Sequence, residues 1–260
     1  MYVLTILSFL MIWEWVRNPV VAFSVEMEYP VSPWIYSFIT EDWYLSMTLQ
    51  IAMVLLYCDA PFINEETPFE FIRCGRRRWF AGQILYIFVC ALLYQIFIAA
   101  LCAFSMLPHM EWTTDWGSLI YTLAEEASVD GIQFAVYYFV LTMYEPWQAM
   151  LLMLSLTWLV TSVYGMMIFA INTLLPKACG VIMGCILTMV SVFALNFSGP
   201  GLLFFSPGSW MTLSLIDVSG LSGTPSLGYI YTVGAGLLAL FMGLAYIRYR
   251  RKAIDVVIDQ

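Results

Sequence analysis

The sequence is poor in charge and in histidine. Only 11% of its 260 residues are Asp, Glu, Lys or Arg, and His109 is its single histidine. A soluble domain carries roughly a quarter charged residues. No compact core could hide from water a chain that is 62% hydrophobic. The composition therefore excludes an ordinary soluble domain and predicts a chain embedded in lipid.

Several sequence signatures of chemistry are also missing. A zinc protease of the His-Glu-x-x-His type needs two histidines. No Gly-x-x-x-x-Gly-Lys-[Ser/Thr] loop is present to cradle the phosphates of ATP, and no Gly-x-Ser-x-Gly nucleophile elbow occurs. Neither Glu65-Glu66 nor Glu125-Glu126 has an arginine at the short spacing of Glu-Glu-dependent membrane proteases. We predict no catalytic residue, no metal site and no cofactor on this chain.

The charge balance and the cysteines exclude two further classes. A net charge of −8 argues against nucleic acid as a partner, because phosphate binding needs clustered basic residues. The cysteines fall in apolar runs or in segments predicted to face the cytoplasm, so a disulfide framework is not expected. They are Cys58, Cys74, Cys90, Cys102, Cys179 and Cys185.

The apolar runs predict an all-α integral membrane protein with one transmembrane domain over residues 1–260. A hydrocarbon core about 30 Å thick needs roughly 20 residues of helix. Six spans are predicted, at about residues 2–16, 38–58, 79–107, 147–175, 178–197 and 228–247. The first run is short, but it has neither a basic flank nor a cleavage site, so we interpret it as a span and not as a signal peptide.

The basic residues predict the orientation. With six spans, nine of the ten Lys and Arg residues fall on one side, which is the positive-inside pattern and places both termini in the cytoplasm. These nine are Arg73, Arg76, Arg77, Arg78, Lys177, Arg248, Arg250, Arg251 and Lys252. About twelve of the eighteen acidic residues face outward. That acidic face either reflects how readily acids are translocated or attracts cationic cargo.

Two outer segments are too broken to span. Residues 108–146 combine a polar half with an apolar, aromatic half, and residues 198–226 hold a short apolar piece between Gly and Pro residues. We predict interfacial or re-entrant helices on the outer face.

The most informative stretch is the first cytoplasmic loop. Thr67 is a plausible N-cap, Pro68 suits the first helical position, Glu70 completes a capping box, and Gly75 can end a helix. The pattern predicts a helix over residues 67–74. This helix would carry Phe69, Phe71 and Ile72 in a charged loop, where an apolar surface needs a cover. Either a partner protein or the membrane interface could supply that cover.

At this point the sequence resembles a known family. The features that carry the resemblance are the six predicted spans, both termini in the cytoplasm, the loop Asp59-Ala60-Pro61-Phe62 followed by Phe71-Ile72-Arg73, and the run from Gly75 to Trp79. Together they resemble the permease subunits of ABC-2-type ATP-binding-cassette transporters. The resemblance covers nearly the whole chain. More narrowly, Pro33-Trp34, the run from Cys58 to Ile63 and the run from Arg73 to Trp79 are similar to the permease of exporters of phenol-soluble modulins, which are amphipathic peptides.

The resemblance implies a function, partners and a site. The chain would be the membrane subunit of an ATP-driven exporter in a bacterial plasma membrane, moving amphipathic peptides or other hydrophobic cargo outward. ATP and Mg would bind a separate ATP-binding-cassette ATPase subunit, and a second permease copy would complete a homodimer. The helix over residues 67–74 would be the coupling helix. Its contact residues would be Thr67, Phe69, Glu70, Phe71, Ile72 and Arg73.

The residues alone leave alternatives open. A stand-alone intramembrane enzyme is one, and a channel or secondary carrier is another, although a carrier normally places ionisable groups inside its spans. The polar residues inside these spans are uncharged, and they would either bond neighbouring helices or line a substrate path. The path candidates are Gln83, Gln95, Thr157 and Thr161. The Gly180-x-x-x-Gly184 spacing would let another backbone approach closely.

Overall fold

The computed structural model describes residues 2–62, 67–126, 131–176, 178–197, 199–218, 220 and 222–251. Over these residues the chain is helical and contains no β-strand. Two isolated β-bridges join Val31 to Met110 and Asp217 to Ser226. The all-α prediction is confirmed for this part of the chain.

Five helices are long and apolar enough to cross a membrane. They run over Val3–Met27, Arg77–His109, Pro146–Leu174, Ala178–Asn196 and Leu227–Arg248. Each reaches or exceeds the roughly 20 residues that a bilayer core requires. The fold is thus that of a helical membrane protein. The α-helices in the last four of these runs are α5 (Arg76–Met106), α8 (Pro146–Leu174), α9 (Ala178–Asn196) and α10 (Leu227–Arg251).

The first helical run is longer than the predicted residues 2–16. Helix α1 (Tyr2–Leu10) passes into a π-helix (Met11–Arg17) and then into α2 (Asn18–Met27). Proline normally interrupts a helix because its ring clashes with the preceding turn. Here the wider π turn comes directly before Pro19, so the helix continues through it. Arg17 donates from Nε to the carbonyl oxygen of Ser105 on α5 at 3.2 Å.

The second predicted span, residues 38–58, is an α-helix only over α3 (Trp43–Leu56). Asp42 is extended, and its carboxylate accepts hydrogen bonds from the backbone N–H groups of Tyr44 and Leu45, both at 2.9 Å. This N-cap fixes the start of α3. The residues before it form a 3-10 helix, Pro33–Glu41, in which Ile35 to Thr40 are all buried. The predicted span therefore corresponds to a 14-residue α-helix preceded by a buried 3-10 segment.

Helix α8 is the central element of the bundle. It contacts α3, α5, α9 and α10. Every residue from Val160 to Ala170 is buried, whereas a lipid-exposed helix leaves one side uncovered. The other long helices therefore pack around α8.

Helix α9 packs through its small residues. A Cβ atom on Gly184 would lie 2.8 Å from Val54 Cγ2 of α3, and one on Gly180 would lie 2.9 Å from the carbonyl oxygen of Ile168 on α8. The Gly180-x-x-x-Gly184 face is thus filled by α3 and α8 of the same chain. A second copy cannot use it in this conformation.

Opposite ends of the bundle carry different structures. One end, called here the α4 end, holds α4 (Thr67–Cys74) and the turn between α8 and α9. The other, called the far end, holds α6 (Ser118–Glu125), α7 (Tyr138–Met143) and a series of 3-10 helices. Those 3-10 helices are Pro200–Phe205, Pro207–Met211 and Leu213–Leu215. All five residues of Pro207–Met211 are buried.

Candidate coupling helix and polar interior

Among the described side chains of helix α4, Phe69 is large, apolar and exposed. Thr67 at its first residue is 2% exposed, whereas Phe69 is 69% exposed. Arg73 and Cys74 at its end are also exposed. The side chains of Glu70, Phe71 and Ile72, which belong to the predicted contact set, lie outside the described part of the structure. Of that set, Thr67 is therefore buried, and Phe69 and Arg73 are exposed.

Gly75 sets the angle between α4 and the spanning helix α5. Its φ of 77° and ψ of 152° lie in a backbone region that residues with a Cβ atom rarely adopt. The glycine that was expected to end α4 in a left-handed conformation thus has the positive φ but an extended ψ. Its backbone carbonyl accepts from Trp79 N, which starts the hydrogen bonding of α5.

The loop that enters α4 is anchored to α5. Tyr57 is fully buried, and its hydroxyl donates to the carbonyl oxygen of Ile87 at 2.9 Å. The Tyr57 ring lies against α8 at Gly165, where a Cβ atom would come within 2.9 Å of Tyr57 Cε2. Further along, the backbone N–H of Phe62 donates to Gln83 Oε1 at 3.3 Å. Gln83, a path candidate from the sequence, thus lies at the base of this loop.

Asn172 joins the same loop to α8 and α9. Its Nδ2 donates to the carbonyl oxygen of Ala60 at 2.7 Å, and its Oδ1 accepts from the backbone N–H of Gly180 at 2.8 Å. The side chain is 7% exposed. Sequence reasoning missed this residue. The signal was present, because an amide near the end of an apolar helix needs partners for both its donor and its acceptor.

Three of the four path candidates meet in the interior. Gln95 Nε2 donates to Thr161 Oγ1 at 2.6 Å, and the hydroxyl of Tyr36 lies 3.5 Å from Gln95 Oε1 and 3.4 Å from Thr157 Oγ1. All four residues are buried. They bond the 3-10 helix Pro33–Glu41 to α5 and α8. Gln83 is not among them, and Tyr36 joins the group although the sequence did not single it out.

A second polar cluster holds the segment Pro207–Met211 in the bundle. The hydroxyl of Tyr164 on α8 donates to Gln50 Oε1 at 2.9 Å, and Gln50 Nε2 donates to Ser46 Oγ at 3.1 Å. Ser206 Oγ donates to Ser191 Oγ of α9 at 3.0 Å. Gly208 lies between these groups, and a Cβ atom there would come within 2.5 Å of Gln50 Cδ. Irregular backbone at membrane depth needs such cover from protein.

The two 3-10 regions bond to each other at the far end. Thr40 Oγ1 donates to the carbonyl oxygen of Met211 at 2.7 Å, and Thr212 Oγ1 donates to that of Thr40 at 3.2 Å. The carboxyl of Glu41 accepts from the backbone N–H of Ser214 at 3.0 Å and also bonds its hydroxyl. These contacts link residues about 170 positions apart in the chain.

Among the described residues, no three His, Cys, Asp or Glu side chains are grouped so as to hold a metal ion. The six cysteines are free thiols. The two interior polar clusters are built from amides and hydroxyls, which bond helices together but neither accept nor release protons near neutral pH.

Comparisons with protein-family models, with curated proteins and with solved structures find no match to this chain. The functional argument therefore rests on the residues and on their geometry.

Proposed function

We propose that this chain is the membrane-spanning permease subunit of an ATP-driven exporter of the ABC-2 type, with ATP hydrolysed by a separate ATP-binding-cassette subunit. On this proposal six spans cross a bacterial plasma membrane with both termini in the cytoplasm. Two copies pair, and the cargo is an amphipathic peptide or another hydrophobic molecule. The observation that carries the proposal is the exposed Phe69 on a short, anchored helix.

The exposure of Phe69 supports a docking role. Burying a phenylalanine side chain fully stabilises by about 1.5–3 kcal/mol. With 69% of Phe69 open, a groove that covered it would gain about 2 kcal/mol. That free energy corresponds to roughly 30-fold in affinity. An exposed side chain of this size beside the exposed Arg73 therefore favours a protein partner with an apolar pocket.

The contacts that connect α4 and its preceding loop to α5 support a mechanical role for α4. A helix that only rests on a membrane surface needs no rigid connection to the spans. Here the loop before α4 is bonded to α5 through Tyr57 and Phe62, and α5 follows α4 directly after Gly75. Movement of α4 by a partner would therefore act on the long helices. On our proposal ATP binding draws two such helices together and rocks the spans.

The polar interior fits a pathway that is closed in this conformation. Gln95, Thr157 and Thr161 lie where a 3-10 segment, rather than a regular helix, meets α5 and α8. Short, broken segments mark the sites where transporter bundles separate. On our proposal this interface parts to admit cargo, and its uncharged groups suit peptide bonds better than bare ions.

A pull-down from native membranes tests the proposal. We expect an ATP-binding-cassette ATPase to copurify with the wild-type chain and to be reduced about 30-fold, the equivalent of 2 kcal/mol, by Phe69→Ala. Phe205→Ala is the matched control, because Phe205 is 77% exposed at the far end of the bundle. This control should retain the ATPase.

The other outcomes are informative. If wild type retrieves no ATPase, the assignment as a transporter subunit fails and a stand-alone membrane protein replaces it. If wild type and Phe69→Ala retrieve the ATPase equally well, α4 is not the docking helix and Phe69 is covered by lipid instead.

A further inference from the structure

The Asn172 side chain lies between the loop that precedes α4 and the turn between α8 and α9. Its Nδ2 bonds the carbonyl oxygen of Ala60, seven residues before α4 begins, and its Oδ1 bonds the N–H of Gly180 in the first turn of α9. One amide thus satisfies a backbone acceptor on one element and a backbone donor on another. Both bonds are short and the side chain is buried, so no water competes for them.

The close approach at Gly180 shows how tightly this contact is built. A Cβ atom on Gly180 would lie 2.8 Å from Asn172 Cγ and 2.9 Å from the carbonyl oxygen of Ile168. Real Cβ atoms essentially never approach other heavy atoms so closely. Only glycine at this position lets α9 come near enough to α8 for its backbone to reach Asn172.

The other hydrogen bonds of the loop go to α5. Tyr57 and Phe62 are bonded to Ile87 and Gln83, which both belong to α5. Helix α5 follows α4 in the chain and would move with it in any case. Asn172 instead connects the loop to α8, the buried centre of the bundle, and to α9, which packs on the buried segment Pro207–Met211 at the far end.

We propose that Asn172 is a positioning residue that transmits movement of α4 to the α8–α9 pair. This inference rests on the proposed function, since it presumes that a partner moves α4. When α4 is displaced, the Ala60 carbonyl draws the amide with it, and the second bond of that amide pulls the start of α9. Without Asn172, α9 would follow α4 only through the side-chain packing of α3, α5 and α8, and its movement would be smaller.

The test measures the movement of α4 and that of the far end of α9 separately, in the complex copurified with its ATPase. An environment-sensitive fluorophore is attached either at Cys74, which is exposed at the end of α4, or at Phe197→Cys, which is 79% exposed at the far end of α9. The other cysteines are replaced, and ATPase retention is checked after labelling. ATP with vanadate then traps the closed motor, and the fluorescence change is recorded at each site.

In the wild type we expect both labels to respond. In Asn172→Ala the response at Cys74 should persist, while most of the response at position 197 should be lost. Asn172→Leu is the second variant, because it keeps the size of the side chain but removes both the donor to Ala60 and the acceptor for Gly180 N. It should behave as Asn172→Ala does. Asn196→Ala, which alters an exposed amide on α9, should leave both responses intact.

Two results separate the possible failures. A full response at position 197 in the folded Asn172 variants overturns the inference, and so does a wild type in which only Cys74 responds. If wild type carries no ATPase, or if ATP moves neither label with the ATPase bound, the proposed function itself fails.

Discussion

Replacement of Gly208 by alanine tests whether the segment Pro207–Met211 is held in the bundle as described. The new Cβ atom would overlap Gln50 Oε1 and Ser191 Oγ and would lie 2.5 Å from Gln50 Cδ. Ordinary contact begins at 3.4 Å. Gln50 must therefore shift, and the shift breaks its hydrogen bond with the Tyr164 hydroxyl inside the bundle.

The expected loss of stability in Gly208→Ala combines two unfavourable contributions. Forcing an extra methyl group into a filled interior costs about 1–3 kcal/mol. Leaving one buried polar group without its partner costs another 1–3 kcal/mol or so. The lower unfolded-state entropy of alanine returns roughly 0.4–1 kcal/mol. We expect Gly208→Ala to lower the free energy of unfolding by about 3 kcal/mol, which corresponds to roughly 6–12 °C in melting temperature for a chain of this size.

The assay is thermal melting of the detergent-solubilised chain, followed by the loss of its monodisperse size-exclusion peak. Gly236→Ala is the matched control, because a Cβ atom on Gly236 of α10 meets nothing within 4 Å. The control should melt with the wild type or slightly above it. In a Gln50→Ala background the Gly208→Ala penalty should shrink, since one of the two obstacles is gone. If Gly208→Ala and Gly236→Ala melt together, Pro207–Met211 is not buried against Gln50.

A further prediction concerns the buried amide of Gln95. Gln95→Leu should lower the free energy of unfolding by only about 1 kcal/mol, because the hydroxyl of Thr161 still donates to the carbonyl oxygen of Thr157. A loss as large as that of Gly208→Ala would show that the Gln95 amide makes more hydrogen bonds than those described above.

The long helices could be predicted from the sequence because their signal is local. Runs of apolar residues bounded by charge, proline or glycine indicate α5, α8, α9 and α10 without any knowledge of neighbours. Helix α4 was equally visible, since its expected bounds of 67–74 rest on Thr67, Pro68 and Gly75. The predicted coupling contacts and substrate path remain predictions, because the described contacts are made within one chain.

The sequence predicts short helical pieces in residues 198–226, but their burial could not be predicted because its cause is distant in the sequence. Pro207–Met211 is as short and apolar as many surface loops, and only contacts with Gln50 and Thr40 make it part of the interior. The grouping of Gln95 with Thr161 depends on how α5 and α8 face each other, which periodicity does not reveal. The start of α3 is different, because Asp42 before an apolar run is a recognisable N-cap signal.

The shortness of α3 has a consequence for the biogenesis of the protein. A 14-residue helix is shorter than the roughly 20 residues that a bilayer core requires, and this one also carries the polar side chain of Gln50. Gln50 Oε1 accepts from the hydroxyl of Tyr164, which is synthesised 114 residues later. In a nascent chain that ends before α8, the amide oxygen of Gln50 would lack this donor. Stable insertion of α3 is therefore expected to depend on the synthesis of α8.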